Sequence, residues 1–258
     1  MSKYVVYNCV RYPGGGLADR FKGIVSCFAL AKKLQREFII NWTYPYKLTT
    51  VLSPNKVNWL QRPIQGTHSS HRIFDAPGHN AYKYALQNYI SFFKEDILIF
   101  ETNVNFLEDI KSDELFSSLF NELFTYSFEL PFFIKNKPLG VAARFGGQQA
   151  DWNDPTFNRD VTYEDVYNSI RKYIVNDCPV FLCTDSSKFL NFCSENKLNY
   201  YTSKNKPEHI DYAGCSENGF KKAFEDFFIL RECEPILSLK GNFAITAALS
   251  NNRKLIEI

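Results

Sequence analysis

One junction near the start of the chain restricts the fold more than any other feature: a run of glycines stands between an apolar segment and an amphipathic one. Residues 3–10 (KYVVYNCV) are rich in β-branched and aromatic side chains, as a buried strand requires. Residues 12–20 (YPGGGLADR) then read as a loop. From 21 to 36 the apolar residues fall at 21, 24, 25, 28, 31 and 34, the spacing of a helix with one apolar face. REFIINW at 36–42 reads as a second short strand. A helix crossing between two strands sets them parallel, so the segment predicts a βαβ unit.

After a less regular stretch the alternation returns. Residues 43–90 are rich in Pro, Asn, His and Tyr and predict loops and short elements. A strand is expected at 96–103, a helix at 114–124 and a linker bounded by prolines at 131–138. Beyond it come a strand at 140–144, a helix at 162–175 with Thr162 as N-cap and Asp165 three residues on, and a strand at 179–184. A helix from about 186 to 195 and a strand at 198–202 follow. The helix at 219–233 carries Phe220, Phe224 and Phe227 on one face. A strand at 236–239, a helix at 243–250 and a strand at 254–258 close the chain. Over 258 residues this order predicts an α/β protein of two open lobes, 1–130 and 131–258, whose parallel sheets face a central cleft.

Composition narrows the function classes. Hydrophobic residues at 45% and aromatics at 16% support a sizeable core and argue against disorder. The 24 Phe and 15 Tyr belong first to that core, although sugar-binding clefts also present aromatic faces. A net charge of +2 argues against nucleic acid or an acidic membrane surface as partner. No apolar run approaches the ~18–20 residues of a membrane span and no signal-peptide pattern opens the chain, so a cytoplasmic location is expected. The seven cysteines are odd in number and lack zinc-ligand spacing, which fits free thiols in a reducing compartment. His68 and His71 in THSSHR are the nearest approach to a metal pair; a polar surface loop is the preferred reading.

Four predicted loop-to-helix turns carry the candidate chemistry. The first is GGGLADR at 14–20, where glycines ahead of a helix let amide groups approach a phosphate; a bare structural turn is the alternative. Arg144 ends a strand, at the carboxyl edge where open α/β sheets bind ligands, and a guanidinium there can grip a phosphate with two hydrogen bonds; a surface Arg in a loop is the alternative. Asp151 and Asp154 follow in QQADWNDP as possible acid/base or hydroxyl partners, or as a solvated acidic loop. Thr184 and Asp185 end another strand; Asp185 either caps the next helix or accepts hydrogen bonds from a nucleoside. Ser238-Leu239-Lys240-Gly241-Asn242-Phe243 forms the last turn, suited to a second phosphate contact. No Asp-x-Asp metal signature occurs, and an Arg in place of a metal cation is the economical alternative.

These residues resemble a known family. GGGLADRFKGIVSCFALAKKLQREFIINW is similar to the N-terminal signature of the α-1,2/α-1,6/protein O-fucosyltransferase superfamily, Gly-x-Gly-(Asn/Asp)-Arg, an amphipathic helix, then Arg-x-(Leu/Phe)-hydrophobic-Trp. GVAARFGG resembles its strand ending in His-x-Arg-x-Gly-Asp, and VFLCTDS its "TDS" strand end. His209-Ile210-Asp211 and the stretch DFFILRECEPILSLKGNFAITAALS resemble its last motif. The order holds over residues 4–42 and 138–250.

The resemblance implies a GT-B fold of two Rossmann-like lobes, an acceptor-side N-terminal lobe, a donor-binding C-terminal lobe, no metal cofactor and inversion at the anomeric carbon. It implies transfer of L-fucose from GDP-fucose, a sugar nucleotide, to a hydroxyl of a glycan acceptor. Arg144 matches the Arg that neutralises the departing β-phosphate; Asp185 falls near the nucleoside, and Gly241, Asn242 and Phe243 match the turn that contacts guanosine diphosphate. Asp19 stands near the donor phosphates, and Gly15, Gly16, Arg20, Thr184 and Ser238 complete the expected donor site. Two positions depart from the pattern. Ala142 replaces the family His and Gly147 the acidic residue, which leaves Asp151 or Asp154 as base. The alternatives are the same fold using another sugar nucleotide, such as a rhamnose donor, and a non-catalytic glycan- or nucleotide-binding protein.

Overall fold

Parallel pairing follows from the crossover at the start of the chain. The computed structural model describes residues 2–11, 15–74, 93–107, 113–152, 160–175, 178–212 and 214–258. In it β1 (Tyr4–Cys9) lies parallel to β2 (Glu37–Trp42), and α1 (Leu17–Lys33) joins them. The chain divides into two units, Met1–Ser127 and Phe128–Ile258.

In the first unit the sheet order is β2-β1-β5-β4, with β4 (His68–Ile73) and β5 (Ile97–Thr102), and every pair is parallel. Helix α1 starts at Leu17, four residues before its apolar spacing predicts, because Leu17 and Ala18 are buried with the rest of its inner face and extended Gly16 serves as N-cap. Asp19 in the first turn and Lys32 and Lys33 in the last suit the helix dipole. A Cβ at Gly23 would stand 2.4 Å from the Thr102 carbonyl oxygen, so the helix sits on β5 at a distance only glycine allows.

The THSSHR stretch is a strand, not the loop expected. As β4 it occupies the sheet edge, where polar side chains are tolerated on the open face and mask the apolar alternation. A short antiparallel pair, β3 (Leu52–Pro54) with β6 (Phe124–Tyr126), and α2 (Asp113–Leu123) complete this unit's main elements. Phe21, Phe120 and Phe124 pack ring on ring at 5.0–5.5 Å, and Trp59 joins Phe124 at 5.9 Å while its Nε1 donates to the Leu123 carbonyl. Burying each such ring contributes roughly 1.5–3 kcal/mol.

The second unit holds five parallel strands in the order β11-β10-β7-β8-β9: β7 (Leu139–Ala143), β8 (Val180–Thr184), β9 (Tyr200–Tyr201), β10 (Ile236–Ser238) and β11 (Leu255–Glu257). One face packs α3 (Tyr163–Arg171) and α4 (Ser187–Glu195), through Val166, Ile170, Phe189 and Cys193, on Leu139, Val141 and Ala143. The opposite face carries α5 (Glu217–Leu230): Gly140 lies against Leu230 and Cys233, and Phe220, Phe224 and Phe227 are fully buried. Helix α6 (Asn242–Ser250) joins β10 to β11. The Thr162 cap forms as expected, a reciprocal box with Asp165. Residues 131–138 are no free linker. Phe132–Asn136 forms a 3-10 turn that buries Phe133 and stacks it on Tyr201 at 4.1 Å, because two aromatic rings gain more from packing than from solvent.

Candidate active site

The strand order of the second unit defines where its ligand site lies. The chain runs from central β7 outward through β8 and β9, then returns to the other side of β7 for β10 and β11. The topological switch therefore falls between β7 and β10, and open α/β sheets bind ligands outside the carboxyl ends of the strands at such a point. Ser238 pairs with Ala142, and Ala143 pairs with Thr184. Register thus brings Arg144, Asp185 and the Ser238–Asn242 turn to one edge.

Asp185 organises this edge. Its Oδ1 accepts from Phe145 N at 2.8 Å and its Oδ2 from Gly146 N at 3.0 Å, so both carboxylate oxygens hold the loop that follows Arg144. Gly146 and Gly147 have φ of +69° and +52°, the left-handed region that lets the loop double back there. Asp185 is 3% exposed, and burial pushes its carboxyl above the ordinary value; the two amides and the Arg144 charge pull it the other way. Arg144 is half-buried, and its Nε meets no acceptor among the described residues.

The neighbouring residues have defined tasks. Ser186, not Asp185, caps α4: its Oγ accepts from Phe189 N at 3.2 Å, and Thr184 Oγ1 accepts from Ser186 N at 3.2 Å. Asp151 donates its own amide to the Asp185 carbonyl at 2.7 Å. Its carboxylate accepts from Ser187 N at 3.0 Å and from Ser187 Oγ, so it is fixed at the start of α4. Asp154 lies outside the described residues. At the opposite side of the switch, Gly241 is the N-cap of α6 in extended conformation, with open space where a Cβ would stand. The first amides of an α-helix have no partner inside it, which here concerns Asn242, Phe243 and Ala244; Ser238, at the end of β10, is buried. Phe243 is pinned edge-on to Phe227 at 5.6 Å.

The glycine loop of the first unit has a different economy. Arg20 is fully buried, its Nε donating to the Gly15 carbonyl at 2.8 Å and its Nη1 to the Tyr44 carbonyl at 2.6 Å. Its guanidinium lies 4.7 Å from the Trp42 ring. The Arg of the glycine signature thus staples the loop to the end of β2. Gly15, with φ +80°, comes so close to Asn103 that a Cβ would lie 2.9 Å from its Nδ2. Asp19 is paired with Lys22 at 2.8 Å.

Sequence reasoning missed an aromatic group at Trp152, His209 and Tyr212, with ring centroids 6.2 and 4.5 Å apart along the series. Only the spacing of distant segments hides it; His209 itself stood in a recognised motif. His68 and His71, three apart on a strand, face opposite sides and cannot share an ion. Burial lowers the pKa of His71, which stacks on Phe100 at 5.0 Å. Among the described residues, no group of three or more His, Cys, Asp or Glu is placed to hold a metal, and no helix is long and apolar enough to cross a membrane.

A parallel α/β unit whose strand order reverses at a switch point belongs to the doubly wound class of folds, and solved structures narrow it. The NodZ α-1,6-fucosyltransferase soaked with GDP-fucose matches all of this chain and 95% of its own, with TM-score 0.63 and 15% identity; NodZ from Bradyrhizobium matches at the same level. FUT1 from Arabidopsis thaliana, a point mutant in complex with GDP, matches over all of this chain and 70% of its own at TM-score 0.62 and 14% identity. POFUT1 in complex with GDP matches 99% of this chain and 98% of its own at TM-score 0.57 and 8% identity. The chain therefore has the GT-B-like fold of these enzymes. No protein-family profile and no curated protein sequence matches it.

Proposed function

We propose that this protein is an inverting fucosyltransferase that moves L-fucose from GDP-fucose to a hydroxyl of a glycan. The observation that carries the reading is the convergence of Arg144, Asp185 and the open N-terminus of α6 on the switch point of the second unit. The fold shared with enzymes solved with GDP or GDP-fucose supports it.

In this mechanism the second unit holds the donor and the first serves the acceptor. The acceptor oxygen bonds to the anomeric carbon as the bond from that carbon to the β-phosphate oxygen breaks, and GDP leaves with the electron pair. Arg144 stabilises the charge that grows on the diphosphate, work that a metal cation does elsewhere, and the amides at Gly241, Asn242 and Phe243 share it. No step uses a metal ion. Thr184 and Ser238 line the donor edge. Asp185 is a positioning residue that keeps the Arg144 loop in place, and Asp151 does the same for α4. The acceptor proton passes to Asp154. Gly15, Gly16 and Asp19 are assigned to donor binding as well, with Arg20 acting through Gly15. A cytoplasmic location is part of the proposal; seven free thiols, five of them buried, support it.

The test is GDP release in the presence of a glycan acceptor panel, with GDP-fucose compared against GDP-mannose, UDP-glucose and dTDP-rhamnose, each with EDTA. Acceptor-dependent turnover of GDP-fucose in EDTA is expected. Turnover of another donor alone, or of none, would overturn the assignment.

A further inference from the structure

Residues at one level of a parallel sheet share a face, as do residues two apart along a strand. The register of the first unit therefore sets Tyr4, Val6 and Asn8 on one face with Ile39 and Asn41, Ile97, Ile99 and Glu101, and Ser70 and Arg72. Nearer the amino ends this face carries a small apolar core of Val6, Ile39 and Ile97 with Tyr4, Ile64 and Ile99 packed on it, and Glu37 and His68 stand at the same level as Tyr4 and Ile97. At the carboxyl edge it becomes wholly polar, with one residue from each strand in a row: Asn41, Asn8, Glu101, Arg72. Asn41 Nδ2 donates to Asn8 Oδ1 at 2.7 Å, and Asn8 Nδ2 donates to Glu101 Oε1 at 3.2 Å. Arg72 Nε meets Glu101 Oε2 at 2.9 Å, and Arg11 Nη2 reaches Glu101 Oε1 at 3.5 Å. Asn8, Glu101, Arg72 and Arg11 line a pocket of about 290 Å³, its open mouth included.

Stability alone does not call for this arrangement. Exposed ion pairs add little to it, and one guanidinium suffices to balance Glu101. Here there are two, and among the described residues neither has a second carboxylate partner. Arg11 and Arg72 are 65% and 57% exposed, whereas Glu101 is only 20% exposed and held by the Asn8 amide. The row offers one excess positive charge, spare guanidinium donors and a fixed carboxylate acceptor. A polyol ring bearing one carboxylate satisfies all three: a guanidinium takes the carboxylate, and Glu101 takes ring hydroxyls. Phe74, 5.6 Å from the Arg72 guanidinium, adds an aromatic face at the rim. The enclosed part of the pocket has room for about one water, so the ring lies across its mouth, against the exposed guanidinium groups.

We infer that this edge binds one acidic sugar residue of hexuronate type through Arg11, Arg72, Glu101 and Asn8. Binding stands on this geometry; the role of that sugar as acceptor rests on the fucosyl-transfer reading above.

The full chain is titrated by calorimetry and saturation-transfer NMR with methyl glucuronoside, methyl glucoside and acetate, and separately with GDP. The glucuronoside is expected to bind about tenfold or more tighter than either control. Arg72→Ala should weaken it by about tenfold, and Arg72→Lys should restore part of the loss, as expected for a charge-assisted contact. GDP binding and the melting temperature should not change in either variant. Equal binding of glucuronoside and glucoside, equal binding of acetate, no binding, or indifference to Arg72→Ala would each overturn the site. Loss of GDP binding in the wild type with glucuronoside binding intact would sink the transferase reading and leave this site standing.

Discussion

In both units the loop that leaves the first strand is held by one buried ionisable side chain, but the sign differs. In the first unit it is the Arg20 guanidinium, which donates to the Gly15 and Tyr44 carbonyls. In the second it is the Asp185 carboxylate, which accepts from the Phe145 and Gly146 amides. The anchor decides what stands at the sheet edge. A buried guanidinium spends its charge inside the fold, and the glycine loop it holds presents backbone. A buried carboxylate holds amides instead, and the guanidinium of the same loop, Arg144, stands half-buried at the switch point, where the proposed function puts the donor diphosphate. Two Arg that look alike in their motifs are thus assigned different work: Arg20 holds the fold, and Arg144 carries the proposed chemistry.

The largest effect separates those two. Arg144→Ala should reduce fucosyl transfer by roughly 100- to 1,000-fold, the loss seen when one preorganised charge-stabilising group is removed, with little change in melting temperature. Arg20→Ala should do the reverse in kind. Hydrogen bonds to two partly buried carbonyls and a cation–π contact are lost together, so denaturant unfolding should show destabilisation of about 2–4 kcal/mol. If Arg20→Ala leaves stability intact and abolishes transfer, the comparison between the two anchors fails.

Asp185→Asn tests the second anchor more finely. The amide keeps one acceptor but turns a donor toward the backbone N–H it must receive, at a cost of about 1–3 kcal/mol near neutral pH. Burial holds the folded-state pKa of Asp185 above the unfolded value, so its contribution to stability is present below the unfolded pKa and declines as pH rises through the folded one. Urea midpoints measured upward from about pH 4 should therefore fall less steeply in the variant. Asp226, also raised by burial, keeps its share, so the slope shrinks rather than vanishes. The smallest effect is expected at Gly241→Ala. Its φ of −159° is ordinary and its Cβ would meet open space, so stability should stay within about 0.5 kcal/mol while GDP affinity drops several-fold as the methyl group crowds the α6 amides.

The order of strands and helices was legible because each buried face imprints its period on the chain. The β1-α1-β2 crossover, the Thr162–Asp165 box and the carboxyl-edge position of Arg144 all follow from local pattern. What escaped depends on distant partners. The start of α1 at Leu17 was hidden because the glycine loop supplies a backbone cap with no side-chain signature. The β4 strand was hidden because an edge keeps its polar residues. Asp185 looked like a helix cap, yet Ser186 takes that task and Asp185 reaches back 40 residues to Phe145. The row Asn41-Asn8-Glu101-Arg72 exists only through register between four strands, which a single sequence does not display.

The central claim is that the second unit grips a guanosine diphosphate through Arg144, and calorimetric titration of GDP into the wild type and Arg144→Ala tests it most directly. The account predicts saturable binding to the wild type in EDTA and an affinity lower by about tenfold or more in the variant, as expected when a charge-assisted pair to phosphate is lost. Equal affinity in the two proteins, or no binding to the wild type, would contradict it.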